Sequence, residues 1–252
     1  MKRSLATTTR RFLLSHGALI VAGALSLGAG CSNVTSTALN SEGVKLYQQG
    51  NYQLASDRFQ QAIAHDPDSS NAYYNLAASL HKAGVLYNRP ADLQQAELLY
   101  NQCLERDPQH TDCYRGLAVL LTETGRQTEA FRLLNNWNAA SPQLAEPKVE
   151  LARLLEETGQ VAEAKSKLVE ALNAEPHNAR ALTALGRLRD QAGDYSQALT
   201  NYQRSLLINH NQPEVAARVA ALQATALTAP SSFVPSQSDA QISSRWQPAV
   251  KY

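Results

Sequence analysis

The residues that most often carry catalysis or bind metal ions are dispersed along this chain. We find no metal-ligating motif, no glycine-rich phosphate loop, no nucleophile elbow and no paired carboxylates in the sequence. The six histidines are His16, His65, His81, His110, His177 and His210. The sequence therefore predicts a protein that is not an enzyme and that uses no cofactor, metal ion or small-molecule substrate.

The first thirty residues have the composition of an export signal. A basic start is followed by an apolar run from Phe12 to Gly30 that ends in small residues. The segment Leu27-Gly28-Ala29-Gly30-Cys31 resembles a bacterial lipobox, although Gly28 stands where that motif has leucine. The resemblance implies that Cys31 is acylated and becomes the mature N-terminus. Residues 31–35 would then form the lipidated N-terminus and a short polar tether.

Other interpretations of this segment stay open. It could be an ordinary cleaved signal, or an uncleaved span, since the 19 residues from Phe12 to Gly30 are long enough to cross a bilayer. The segment Thr9-Arg10-Arg11-Phe12-Leu13 also resembles a twin-arginine export motif. If Cys31 is acylated, Ser32 behind it implies an outer-membrane lipoprotein that faces the periplasm.

The charge of the chain argues against nucleic acid as a partner. The formal net charge is +1, and the first thirty residues hold four basic residues and no acid, so the remainder carries a net charge of −3. Binding to nucleic acid needs a basic surface. With 44% hydrophobic and 18% charged residues, the composition is that of an ordinary soluble protein that can build a continuous core.

A period of 34 residues organises most of the chain. Glycines recur at Gly50, Gly84, Gly125, Gly159 and Gly193, separated by 34, 41, 34 and 34 positions. Series of alanines and prolines follow the same period, which is the signature of a repeat protein. Within residues 145–178, apolar and small residues at helical spacing on both sides of Gly159 predict two helices joined at that glycine. Pro176 is expected to end the second helix.

This pattern resembles the tetratricopeptide repeat. The resemblance covers residues 36–227 and implies an all-α fold, a solenoid of helix-turn-helix repeats that bury their apolar faces against one another. The five repeats span 36–69, 70–110, 111–144, 145–178 and 179–212. Residues 213–227 predict a capping helix with Val215, Val219, Leu222 and Leu227 on one side. The Ser-, Pro- and Gln-rich residues 228–252 predict a disordered tail.

Two positions depart from the repeat pattern. Repeat 2 gains seven residues around Val85 to Ala91, which predicts a loop at one edge of the solenoid, either a contact loop or a tolerated surface insertion. Trp137 occupies a position where the family has a small residue. We expect its bulk to be accommodated by a change in packing, and the alternative is partial exposure.

Cys103 and Cys113 flank the turn between repeats 2 and 3. Their Cα atoms could therefore come within disulfide distance, and in an exported protein the pair could oxidise. The alternative follows from the resemblance, which places Cys103 where the family has a small buried residue, and a free cysteine packs well there. Both interpretations stay open.

By the same resemblance, the first helix of each repeat lines a concave groove that binds a peptide or protein partner. In repeats 1 and 2 the lining positions are neutral, with amides that can hold a peptide backbone and tyrosines that can pack on it. They are Asn40, Val44, Tyr47, Asn71, Tyr74, Asn75, Ala78 and His81. The alternative is that these are ordinary solvated residues.

In repeats 3 to 5 the corresponding positions form a surface of mixed charge. They are Asp112, Arg115, Glu146, Glu150, Arg153, Glu156, Arg180, Arg187 and Asp190. The chaperone-binding branch of the family clamps a C-terminal carboxylate at defined positions, which are Asn40, Val44, Asn75, Asp112 and Gly116 in this chain. Only Asn75 matches that branch, so we exclude a clamp of that type.

The sequence thus predicts a non-enzymatic scaffold, tethered to a membrane of the bacterial cell envelope, that binds a peptide or protein in its groove. In size and layout it resembles lipoproteins that assist the assembly of type IV or tight-adherence pili, and work in a secretion machine is a related role. The alternative is an adaptor or regulatory subunit of a cell-envelope enzyme complex. Both roles imply a protein partner and a membrane contact made only through the lipid.

Overall fold

The computed structural model describes residues 28–228, with side chains from Val34 to Thr225. This part of the chain contains eleven helices and no strand, which confirms the all-α prediction. No helix within residues 28–228 is both long and apolar enough to span a membrane. Most of the predicted signal sequence and nearly all of the predicted tail lie outside the described residues.

The helices form two compact units. Unit 1 ends at Pro108 and contains α1 (Gly28–Gln48), α2 (Tyr52–His65), α3 (Ser70–Leu86) and α4 (Pro90–Arg106). Unit 2 begins at Gln109 and contains α5 (Thr111–Glu123), α6 (Gln127–Ala140), α7 (Glu146–Glu157), α8 (Val161–Ala174), α9 (Ala179–Gln191), α10 (Tyr195–Ile208) and α11 (Pro213–Thr228). Each predicted repeat corresponds to one pair of consecutive helices.

The turn within a repeat depends on its glycine. Gly159 has a φ of 80°, a left-handed conformation that glycine adopts without strain. The N–H of Gln160 then donates to the carbonyl of Leu155 at 2.8 Å, which satisfies a carbonyl at the end of α7. The chain reverses there, and Ala152 of α7 and Leu168 of α8 are both buried in the core of unit 2.

Gly84 shares the glycine period but has a different role. It lies inside α3, where a Cβ atom would come within 2.7 Å of Leu93 Cδ2 on α4. The missing side chain therefore lets α3 and α4 approach closely. The turn itself is made four residues later by Asn88, whose φ is 51°, a conformation that asparagine tolerates better than most residues.

The seven additional residues of repeat 2 lengthen both helices of the hairpin instead of forming a loop. Helices α3 and α4 have 17 residues each, whereas α5 and α6 have 13 and 14. One turn of α-helix takes about 3.6 residues, so the insertion adds roughly one turn to each helix. The prediction of a loop is wrong because a seven-residue insertion is two helical turns, and only residues 87–89 are left to connect α3 to α4.

The predicted tether at residues 31–35 lies within α1. Neither proline nor glycine occurs between Cys31 and Glu42, so nothing in this segment ends the helix. Ser36, one residue further on, is buried, and its Oγ donates to the carbonyl of Ala62 on α2 at 3.0 Å. The backbone of residues 31–35 is therefore helical, and α1 is held against α2 immediately after it.

Side-chain sizes on paired helices are complementary. Phe59 of α2 lies against Gly43 of α1, and Tyr202 of α10 lies against Gly186 of α9, where a Cβ atom would be only 2.9 Å from the ring. Trp137 of α6 is buried at 1% exposure and stacks on Tyr114 of α5, with ring centroids 4.4 Å apart and planes at 5°. Trp137 is therefore accommodated within the hairpin, and the alternative of partial exposure is wrong.

Helix α11 covers the last hairpin of unit 2. Leu222 is buried with Ala198 and Tyr202 of α10, and Val215 and Val219 pack against the same cluster. Three of the four apolar residues predicted for the capping helix therefore make the expected contact. The side chain of the fourth, Leu227, lies outside those that the structure describes.

Candidate functional site

The neutral positions predicted to bind a partner lie on two neighbouring helices of unit 1. Asn40, Val44 and Tyr47 are carried by α1, and Asn71, Tyr74, Asn75 and Ala78 by α3, a helix that contacts α1 directly. We call these seven residues the amide–tyrosine face. The amides meet between the two helices, where Asn75 Nδ2 donates to Asn40 Oδ1 at 2.9 Å.

The tyrosines of this face are held by other aromatic rings. The ring centroid of Tyr47 lies 5.2 Å from that of Tyr52 in an edge-to-face arrangement, and Tyr74 lies 6.3 Å from Tyr100. Burial, and then the neighbouring Tyr52, raise the pKa of the Tyr47 hydroxyl. This hydroxyl therefore stays neutral, with one O–H to donate and lone pairs to accept.

His81 was predicted to line the same groove, and this prediction is wrong. Its side chain is buried at 9% exposure, and Nδ1 lies 3.4 Å from the hydroxyl of Tyr100 on α4. The two rings are perpendicular, with centroids 6.1 Å apart. His81 lies in the C-terminal half of α3, where its ring packs against Tyr100 of α4.

The mixed-charge positions of unit 2 are organised around one buried carboxylate. Glu150 of α7 is 0% exposed. Its Oε1 accepts from Arg115 Nε at 2.7 Å and from Arg180 Nη2 at 2.6 Å, and its Oε2 accepts from Arg153 Nε at 3.1 Å. Burial would raise the pKa of Glu150, but hydrogen bonds from Arg180 and Arg115 together with their charges outweigh it, so the pKa is lowered.

Further ion pairs extend along unit 2 in both directions from Glu150. Arg115 also binds Asp112 at 2.5 Å. Arg187 of α9 donates two hydrogen bonds to the carboxylate of Glu156 on α7. Arg218 of α11 donates two hydrogen bonds of 2.6 Å each to the carboxylate of Asp190 on α9. Most of these residues occupy positions predicted to line a groove. In unit 2 they pair largely with one another and join the first helices of successive repeats.

Most of these contacts join residues separated by nearly one repeat length. Asn40 and Asn75 are 35 positions apart, as are Arg115 and Glu150, and Arg187 lies 31 positions after Glu156. The repeat register predicts these residues but does not by itself give their pairing. A search for complementary polar residues about 34 positions apart would have found it.

Each unit also contains a cavity. In unit 1 a cavity of about 260 Å³ lies between the α1–α2 turn and Tyr87 and Arg89 at the tip of the lengthened hairpin. In unit 2 a cavity of about 290 Å³ is lined by α7, α8, α9 and Gln212, and three of its lining residues are arginines.

The remaining predicted sites concern the cysteines. Cys103 of α4 and Cys113 of α5 are both fully buried and belong to different units, and their disulfide stays a prediction. Cys31 lies in the first turns of α1, and its side chain is outside the described set, so its acylation also stays a prediction.

Three family models match the chain. A TPR repeat model covers residues 43–84, and two tetratricopeptide repeat models cover residues 91–145 and 155–224, so that together they span about two thirds of the chain. The matches lie on the five predicted repeats and extend onto α11. A comparison with curated proteins finds no match.

Solved structures with the same arrangement of helices come from several bacteria. A thermophilic TPR protein of Thermus thermophilus is 22% identical with a TM-score of 0.57, and covers 75% of this chain and 98% of its own. PilF of Pseudomonas aeruginosa is 18% identical with a TM-score of 0.52, and the match covers 79% of this chain and 94% of PilF. A tetratricopeptide repeat protein of Parabacteroides merdae is 15% identical with a TM-score of 0.58, and the match covers 75% of this chain and 71% of that protein. At these identities the likeness concerns the fold.

Proposed function

Because the chain is a tetratricopeptide-repeat protein, we propose that it is a non-enzymatic scaffold that binds an extended segment of a partner protein on the amide–tyrosine face of unit 1. The observation that carries this proposal is the hydrogen bond between Asn75 and Asn40, which holds two amides side by side among the tyrosines. Each amide offers two donors and an acceptor oxygen, and one bond between them uses only part of that capacity.

The chemistry of the face suits a peptide backbone better than a charged ligand. A backbone in extended conformation presents alternating N–H and C=O groups, which amides can match. The partly buried rings of Tyr47 and Tyr74 provide apolar area together with a polar tip. None of the seven residues is charged, so we expect partner side chains of neutral or apolar character at this face.

In this proposal the scaffold meets its partner at a membrane. Cys31 and Asn40 belong to the same helix, nine residues apart, which corresponds to about 14 Å along the helix axis. A lipid on Cys31 would therefore hold the amide–tyrosine face close to the membrane surface. We place the chain at the periplasmic side of the outer membrane.

Within the cell envelope, we favour a role in assembling a pilus or a secretion machine. This role is supported by the layout of the chain, in which a lipoprotein-type signal precedes five repeats. The alternative role, as adaptor or regulatory subunit of an envelope enzyme, uses the same face and predicts different partners.

Partner capture from crosslinked envelopes tests this proposal, with the wild-type chain compared to Cys31→Ala. We expect the wild type in the membrane fraction and Cys31→Ala in the soluble fraction, because only the wild type can carry the lipid. Mass spectrometry of the captured material should identify pilus or secretin subunits with the wild type. A hydrolase or synthase in their place would support the enzyme-adaptor role, and equal solubility of the two chains would contradict the lipid anchor.

A further inference from the structure

The tip of the α3–α4 hairpin exposes large apolar side chains. Val85, Leu86 and Tyr87 follow one another there and are 49%, 58% and 53% exposed. The turns inside the other four repeats are built on a glycine and contain no large apolar residue, at 49–51, 124–126, 158–160 and 192–194. A turn at this position therefore does not need apolar residues, and a cluster of exposed ones marks a contact surface.

A notch lies beside this tip because the helices of unit 1 differ in length. Helix α2 has 14 residues and α3 has 17, so the tip extends roughly one turn beyond the α1–α2 turn. The cavity of about 260 Å³ at this step lies between Tyr52 and Leu54 of α2 and the tip residues Tyr87 and Arg89. We call it the tip notch. Since a water molecule takes about 30 Å³, its volume holds roughly nine waters or one large side chain.

The rim of the tip notch is apolar and already ordered. Leu54 on one side is 55% exposed, and the Tyr87 ring on the other is held by Arg89, whose guanidinium carbon lies 5.0 Å from the ring centroid. Arg89 Nη1 in turn lies 3.5 Å from Asp92 Oδ2. These contacts orient the ring before a partner binds, which reduces the side-chain entropy lost on binding. Tyrosine is also among the residues that most often dominate the binding energy of an interface.

The segments that form the tip notch carry positive charge. Residues 43–56 and 69–91 contain no aspartate or glutamate, and they include Lys45, Lys82 and Arg89. Two copies of this surface would repel each other, which disfavours a second copy of the chain as the occupant. A partner of negative net charge would be attracted to it.

The position of the tip notch favours a protein over a lipid surface as the occupant. Cys31 lies near the N-terminal end of α1, whereas the tip notch begins at Gly50, just after the C-terminal end of that helix. The helix axis from Cys31 to Gln48 is about 26 Å long. The tip notch is therefore remote from the anchored end of unit 1. This step rests on the proposed function, which places a lipid on Cys31.

We propose that the tip notch is a second protein-docking surface, which takes one large apolar side chain from a partner segment of negative net charge. None of the residues that line it belongs to the amide–tyrosine face. The apolar side chain would bury surface against Leu54 and Tyr87, and the charge of the segment would speed its approach.

Selection from a display library of random peptides of about twelve residues, on the full chain, tests the inference. The wild-type chain should enrich peptides that contain leucine, phenylalanine or tryptophan and carry a net negative charge. For a selected peptide, fluorescence anisotropy gives the Kd. Replacing its large apolar residue by alanine should weaken binding about tenfold or more. Raising NaCl from about 0.05 M to about 0.5 M should weaken binding severalfold, because salt screens the charges.

Two leucines of similar exposure make the test specific. Leu54 lines the tip notch, whereas Leu98 of α4 is 58% exposed and does not line it. Leu54→Ser and Tyr87→Ser should each weaken binding of the selected peptide about tenfold, and Leu98→Ser should bind like the wild type. Circular dichroism checks that each variant is folded.

Tyr74→Ala, on the amide–tyrosine face, separates this inference from the proposed function. Binding that is lost with Tyr87→Ser and unchanged with Tyr74→Ala supports the tip notch. Binding that is lost with Tyr74→Ala and unchanged with Leu54→Ser and Tyr87→Ser overturns the tip notch, and the amide–tyrosine face stands. If no peptide is enriched on the folded chain, the tip notch is overturned, and a crosslinker at position 74 tests the proposed function by itself.

Two further measurements test the other occupants. In sedimentation velocity, a wild-type dimer that Tyr87→Ser dissociates would show that the tip notch takes a second copy of the chain. In co-sedimentation with phosphatidylglycerol vesicles, binding of Cys31→Ala that is lost when Tyr87→Ser is added would show that it takes a lipid surface. Either result overturns the inference.

Discussion

Replacing Glu150 by glutamine is expected to lower the free energy of unfolding by about 2–4 kcal/mol. Removing one partner of a buried ion pair costs about 3–5 kcal/mol when the remaining charge stays buried. The side chains of Arg115, Arg153 and Arg180 are 34%, 29% and 45% exposed, so they can recover some hydration, which reduces the loss. Urea unfolding followed by circular dichroism measures the change.

The matched control is Glu157→Gln. Glu157 pairs with Arg153 as well, but its side chain is 43% exposed, so the same substitution should cost no more than about 0.5 kcal/mol. Equal stability of Glu150→Gln and the wild type would contradict the role given to the buried carboxylate.

The stability difference between the wild type and Glu150→Gln is also expected to depend on pH. The pKa of Glu150 is lowered in the folded state relative to its ordinary value of 4.5, so the unfolded chain binds this proton more tightly. The stability that Glu150 contributes is therefore complete above about pH 4.5 and is lost as the pH falls through the folded-state pKa. The difference in unfolding free energy between the wild type and Glu150→Gln should shrink on acidification in this range.

Replacing Trp137 by alanine is expected to lower the free energy of unfolding by about 3–5 kcal/mol. The substitution removes a side chain that is only 1% exposed and that stacks on Tyr114, and it leaves a cavity in unit 2. Chemical denaturation monitored by far-ultraviolet circular dichroism gives the loss.

Trp137→Phe separates the loss of ring volume from the removal of the indole N–H. Trp137 Nε1 is buried and has no acceptor in the described part of the chain, so phenylalanine removes an unsatisfied donor and keeps a ring against Tyr114. We expect a cost of no more than about 1 kcal/mol, because the cavity left behind is small. A Phe variant as unstable as the Ala variant would show that stacking and volume are not what Trp137 contributes.

The helices were predictable because they depend on local signals. The glycine at each turn, the small residues where helices approach and the apolar faces all recur with the repeat, so the five pairs of helices follow from the sequence. Gly84 is an exception to this periodicity. Its spacing predicts a turn residue, but the insertion moves the turn to Asn88 and leaves Gly84 inside α3 against Leu93.

The residues of the candidate site were predictable individually, but their contacts were not. The repeat register identified Asn40 and Asn75, whereas their hydrogen bond depends on how α1 and α3 pack. The register also placed His81 in the groove. In the structure the His81 ring instead contacts Tyr100 of α4, a contact that the repeat register does not predict. In the same way it gave nine charged positions without showing that Glu150 is buried under three arginines.

Photo-crosslinking from the amide–tyrosine face tests the central claim most directly. A benzoylphenylalanine residue replaces Tyr74 of α3 in one chain and Tyr195 of α10, which is 51% exposed, in a control chain. We predict that irradiation of living cells yields a discrete adduct with a partner protein from position 74 and not from position 195. An adduct from position 195 with none from position 74, in chains that are equally folded and equally abundant, would contradict the proposal that the partner binds on this face.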